Sequence, residues 1–171
     1  QSLKKSWKSE HNKDKNTVLL YSSSPAREYM VNLEEILTEE NIIHQKNVFD
    51  FLYTLSVRFK NLKIMYKPFT NTTNLELQKY IESKNFSANN FIISKDKAVN
   101  TMKEVDIVLF DTISSGFSEA INIGVPTLVF NNTFDYNNAS KDGRKINNLL
   151  ENNNIIFYNK EKGLHSIELI L

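Results

Sequence analysis

Residues 106–130 constrain the fold more than any other part of this chain. They open with a short apolar run, Ile107-Val108-Leu109-Phe110, of the kind buried on both faces of a parallel sheet. A polar turn follows at 111–116. Apolar side chains then recur at helical spacing (Phe117, Ala120, Ile121, Ile123), with Gly124 as the stop. Pro126 precedes a second apolar run at 127–130. Strand, turn, helix, turn, strand make one βαβ unit, and its polar turn leaves the carboxyl end of a strand.

That location bears on function. Ligands of open α/β sheets sit in the crevice outside the carboxyl ends of the strands. The first turn of the helix offers free backbone N–H groups and the positive end of the helix dipole, which suit a phosphate. Ser114 and Ser115 add hydroxyl donors, and Gly116 removes a Cβ from the approach. Glu119, one turn further on, carries a carboxylate able to accept two hydroxyls of a ribose. The same residues also suit an ordinary helix start, with Asp111 or Ser114 as N-cap and Glu119 as a solvated acid. On the residues alone both readings stand.

The run Ser114-Ser115-Gly116-Phe117-Ser118-Glu119-Ala120, followed by Gly124-Val125-Pro126, resembles the donor-binding segment of GT-B glycosyltransferases. It is similar also to that of UDP-N-acetylglucosamine 2-epimerases, CDP-glycerol glycerophosphotransferases and transferases of surface-carbohydrate clusters. The likeness is specific over residues 106–130 and topological elsewhere. The resemblance implies a Rossmann-like α/β domain, the C-terminal, donor-binding half of a GT-B transferase. By it, Ser114, Ser115 and Gly116 hold the nucleotide diphosphate and Glu119 the ribose. The substrate is then a nucleotide-sugar or CDP-alditol donor, the acceptor a surface glycan, and neither cofactor nor metal is needed. The general base comes from an N-terminal GT-B domain outside this chain, so the fragment alone is expected to be inactive. The expected location is the cytoplasm, including the inner face of the membrane.

The 171 residues suit one domain, large enough to bury roughly 70% of its unfolded surface. A formal net charge of +1 argues against nucleic-acid binding built on bulk electrostatics. There is no cysteine, hence no disulfide framework or thiolate metal site. No apolar run approaches the roughly 18 residues that span a bilayer, and no signal-peptide pattern is present. The chain opens on Gln1 rather than Met, so a longer protein is expected. Residues 1–16, polar and lysine-rich around Trp7, read as a linker or the end of a preceding domain. A nucleic-acid arm is the alternative there, with Glu10 and Asp14 diluting its charge. Residues 17–171 form the expected Rossmann-like nucleotide-sugar-binding domain.

Along that domain, residues 17–21 predict a first strand ending in Ser22-Ser23-Ser24-Pro25, where Ser23 offers a further hydroxyl. Arg27 follows. In GT-B enzymes the corresponding loop faces the donor phosphates, and a plain surface arginine is the alternative. Residues 31–61 predict a long helix whose Val48, Phe49, Leu52, Leu55, Val57 and Phe59 suit packing on a sheet. His44 lies in it without a metal-ligand neighbour and reads as structural. A second strand at 62–66 leads to Lys67-Pro68-Phe69. Many CDP-glycerol-type transferases carry a His-Pro pair near here. This chain has no histidine there, which leaves Lys67 as the cation able to reach an anion. Further elements are expected at 71–83 (helix), 91–94 (strand), 97–104 (helix), 141–152 (helix), 155–158 (strand) and 163–171 (turn or helix). Residues 131–138 read as a polar loop at the carboxyl end of a strand, where Asp135 or Tyr136 is a candidate to meet the transferred group or base and plain surface is the equal alternative. The alternation gives about six strands in a doubly wound three-layer sandwich.

Two rival functions remain at this level. A sugar-nucleotide epimerase would share the donor cradle but needs acids and a histidine in the cleft, and His11, His44 and His165 fall in no cleft turn. A non-catalytic nucleotide-binding module needs no chemistry. A phosphoaspartate receiver lacks its acids after the first strand, and a serine hydrolase lacks the Gly-x-Ser-x-Gly elbow.

Overall fold

The computed structural model describes residues 17–23, 34–68 and 75–171. The linker expected at 1–16, Arg27 and Phe69 lie outside the described residues. Six strands form one sheet: β1 (Thr17–Ser22), β2 (Leu62–Lys67), β3 (Phe91–Ile93), β4 (Ile107–Phe110), β5 (Thr127–Phe130) and β6 (Ile156–Phe157). All neighbours pair in parallel, in the order β3-β2-β1-β4-β5-β6. Among the described residues there are seven helices: α1 (Glu34–Arg58), α2 (Leu75–Ser83), α3 (Ala98–Met102), α4 (Ser115–Ile123), α5 (Thr133–Asn138), α6 (Lys141–Asn152) and α7 (Lys160–Glu168). They cover both faces of the sheet. This is the Rossmann-like three-layer sandwich that the alternation predicts, and none of these helices is long and apolar enough to cross a membrane.

Sequence and burial agree along the strands. β4 is buried at all four positions, as a central strand covered on both faces must be. β3 lies at the edge, and its Ile92 and Ile93 are exposed. One core packs Leu19, Tyr21, Ile64, Leu109 and Phe130 against α1, α2 and α7. The other packs Leu20, Val108, Phe110 and Val129 against α3, α4 and α6. α4 stops at Gly124, whose φ of 84° is the left-handed conformation that glycine adopts without strain. Ser140 and Asn159 cap α6 and α7 by accepting from Gly143 N and Lys162 N.

The register sets up the site. Ser22 lies opposite Lys67 on one side and Phe110 on the other, Phe110 opposite Val129, and Val129 opposite Ile156. Five carboxyl ends therefore lie level along one edge. The chain first winds from β1 out to β3 and then returns to the other side of β1, so β1 and β4 flank the topological switch point, where open α/β sheets bind ligands.

Two local expectations change. Residues 131–138 contain the helix α5 rather than an irregular loop. Tyr136 within it stacks edge-on against Tyr158 at 5.6 Å and donates to Asn148 Oδ1 at 3.0 Å. Those contacts, distant in sequence, hold a helix that local turn formers do not favour. In α1, Val57 is exposed, and Phe51 joins Val48, Phe49, Leu52 and Leu55 in the core.

Candidate functional site

The switch-point crevice is bounded by Ser22 at the end of β1, by Ser23 just after it and by residues 111–116 after β4. Ser114 holds the N-cap position of α4 in extended conformation, yet its side chain makes no capping hydrogen bond. The helix's own bonding begins with Phe117 N donating to Ser114 O at 3.1 Å. The N–H groups of Ser115 and Gly116 precede it and face outward along the helix axis. Ser115 and Glu119 are exposed one turn apart. A Cβ on Gly116 would stand 3.0 Å from Phe110 Cε1, so glycine here lets the first turn of α4 lie close on β4.

Asp111 is no N-cap. It is 2% exposed, and its Oδ2 accepts from Tyr21 OH at 3.2 Å and Gln45 Nε2 at 3.4 Å. His44 lies beside it, its Nε2 donating to Asp111 O at 3.1 Å and to Phe130 O at 2.9 Å. Both contacts are carbonyl acceptors, so this nitrogen carries the proton. One imidazole thus ties together the ends of β4 and β5, in keeping with the structural role read for it. Burial, reinforced by the Asp111 carboxyl, pushes the Tyr21 hydroxyl well above the usual tyrosine range. Burial also pushes Tyr66 up, with a hydrogen bond from Ser23 pulling the other way.

The structure brings Ser23, Lys67, Ser114, Ser115, Gly116 and Glu119 to the same edge of the sheet. They are not equally available. Ser23 is buried and turned to Tyr66, whereas Lys67 is half-buried with its ammonium donating to Pro68 O at 3.1 Å. Arg27 and the Asp135 side chain lie outside the described residues. No group of three or more His, Asp or Glu among the described residues is arranged to hold a metal ion.

A second feature of this edge escapes a reading by motif. A cleft of about 340 Å³ lies over the ends of β5 and β6, lined by His44, Phe130, Asn131, Tyr158, Asn159 and Lys160 among others, so His44, expected in no cleft turn, reaches a cleft from helix α1. The signal was available: Asn131 and Tyr158 each directly follow a strand, as 111–116 does.

A family model described as LIC12162 family transferase matches residues 1–168. No curated protein matches the chain. Among solved structures, the S. aureus MnaA-UDP co-structure aligns with a TM-score of 0.56 and 16% identity, over 98% of this chain and 39% of its own length. A structure described as a UDP-N-acetylglucosamine 2-epimerase from Listeria monocytogenes aligns with a TM-score of 0.49 and 18% identity, over 72% of this chain and 31% of that one. This chain therefore corresponds to well under half the length of either.

Proposed function

The chain belongs to the LIC12162 transferase family, and from that premise we propose that it is the donor-binding domain of a GT-B-type transferase. Its ligand in this reading is a nucleotide-activated sugar or alditol phosphate, destined for a surface glycan. One observation carries the reading. At the switch point between β1 and β4, α4 presents an N-terminus with an uncapped Ser114 side chain, two N–H groups ahead of the helical bonding, and an exposed carboxylate one turn on. UDP in the MnaA structure makes a uridine nucleotide the first ligand to try.

In this site the N–H groups of Ser115 and Gly116 and the hydroxyls of Ser114 and Ser115 meet the diphosphate. Lys67, at the end of β2, adds a positive charge, and Glu119 accepts the ribose hydroxyls. When the bond to the transferred group breaks, negative charge grows on the departing nucleotide, a diphosphate from a nucleotide-sugar or a monophosphate from a CDP-alditol. Donors fixed in advance stabilise that charge without reorganising. The general base and the acceptor site belong, in this proposal, to a second domain, so the chain binds its donor but does not transfer it alone.

Glu119→Gln tests the reading. The substitution keeps the shape and removes the charge, leaving neutral hydrogen bonds to the ribose. Affinity for UDP or CDP conjugates should fall by roughly 1–2 kcal/mol, about five- to thirtyfold. Stability should shift by no more than about 0.3–1 kcal/mol, the size of an exposed helix-dipole term. Calorimetric titration beside a thermal melt reads both, and an unchanged dissociation constant would remove Glu119 from the site.

A further inference from the structure

The cleft over β5 and β6 has a chemistry unlike that of the α4 turn. Asn47, Asn131, Thr133 and Tyr158 contribute carboxamides and hydroxyls, and Phe130 and Tyr158 add aromatic surface. Its two charged residues have opposite signs, and one of them, Lys160, already reaches Asp50 at 3.4 Å. The cleft therefore carries no net charge to attract an anion. A carboxamide offers a donor and an acceptor from one planar group, which matches a pair of neighbouring hydroxyls. The volume of about 340 Å³ is at the small end for ligand pockets, which run from roughly 300 to 1,000 Å³. It suits one small group rather than a whole nucleotide conjugate.

Asn131 gives the decisive detail. It is 4% exposed, and its side-chain Oδ1 has no hydrogen-bond partner among the described residues. Buried polar atoms are nearly always satisfied, and those that are not call for an explanation. A lone acceptor calls for a donor, which a hydroxyl supplies and a phosphate or carboxylate does not. Position adds the rest. His44 Nε2 holds both Asp111 O and Phe130 O, so the residue that begins the α4 turn and the residue just before Asn131 share one contact. A diphosphate seated on α4 would extend the group it carries toward Asn131.

We propose that this cleft receives the polyhydroxylated end of the donor's transferred group, and that this end is neutral, a sugar or the alditol part of an alditol phosphate. The proposal rests on the donor-binding reading above. Its test is a titration of the isotope-labelled 171-residue chain, followed through backbone amide resonances. The probes are UDP, CDP, UDP-N-acetylglucosamine, UDP-glucuronate and CDP-glycerol. A neutral conjugate should shift the amides of 131–133 and 158–161 as well as those of 114–119, and UDP or CDP alone only the latter. Whichever of the two neutral conjugates does so separates sugar from alditol.

Asn131→Ala should weaken that conjugate about two- to tenfold and leave the free nucleotide unchanged. Asn47→Ala, at an exposed position, repeats the test without disturbing a buried residue. Conjugates that shift 114–119 but never the cleft would overturn the cleft assignment and keep the donor reading. Shifts confined to the cleft would overturn the donor reading, and with it the assignment of the cleft to a transferred group. If no probe shifts either region, both proposals fall. Tighter binding of the glucuronate than of the neutral conjugates would overturn the neutral class.

Discussion

The two faces of the sheet are packed by different means. Under α1, α2 and α7 the core is aromatic: Tyr21, Phe49, Phe51, Tyr66, Phe130 and Phe157 interlock, mostly edge to face, at centroid separations of 5.0 to 5.5 Å. Under α3, α4 and α6 the buried residues are largely aliphatic, and Phe110 and Phe117 meet at 6.4 Å. The aromatic face also supplies the polar clamp. Tyr21 of β1 and Gln45 of α1 hold the Asp111 side chain, and His44 holds its carbonyl. One face thus anchors the turn after β4, and the other carries the helix that the turn begins. Rigid aromatic contacts suit anchoring, whereas the helix needs only close seating on β4.

The comparison breaks most readily at Phe51. It is fully buried between Phe130 and Phe157, and Phe51→Ala should cost about 3–5 kcal/mol in urea unfolding. Phe117→Ala, 7% exposed on the other face, should cost less. An equal or larger loss at Phe117 would show that the faces are packed alike.

A sharper form uses one substitution twice. A Cβ on Gly163 would stand 2.6 Å from Phe157 Cε2 and 2.9 Å from Phe51 Cζ, inside van der Waals contact with two buried rings. Overpacking of this kind costs about 1–3 kcal/mol, more than the roughly 1 kcal/mol a helix gains from alanine. Gly163→Ala is therefore a net loss. On the other face Gly116→Ala meets one ring atom at 3.0 Å, and the helical gain should leave stability within about 1 kcal/mol of wild type. Thermal melts of the two variants rank the faces directly, and the reverse order would sink the comparison.

The smallest effect concerns the clamp. Tyr21→Phe removes the donor to Asp111 and should cost about 1 kcal/mol near neutral pH. Because the folded-state pKa of Tyr21 is raised above 10.0, the native state keeps a proton that the unfolded chain gives up. That contribution is complete below about pH 10 and is lost as pH rises from there through the folded-state value. Wild type should lose stability as pH rises above about 10, and Tyr21→Phe should lose less. Equal losses in urea midpoints would show that Tyr21 does not titrate against the fold.

Much of this architecture was legible in the sequence because its signals are local. The runs at 107–110 and 127–130, the helix from 141 to 152 and the stop at Gly124 depend on apolar runs, on periodicity and on a residue free to adopt positive φ. The same locality brought Ser114, Ser115, Gly116 and Glu119 forward as candidates, since strand, turn and helix start are contiguous there. The helix at 133–138 was not legible, because Tyr136 gains its contacts from Tyr158 and Asn148. Nor were the role of Asp111 and the cleft. Asp111 reads as a cap until Tyr21 and Gln45 arrive from positions far away in the chain, and the cleft needs α1, the end of β5 and the start of α7 together. Local patterns determine elements and their order. Which polar groups are buried together, and where space remains between them, is decided only when distant segments pack and leave each polar atom either paired or waiting for a ligand.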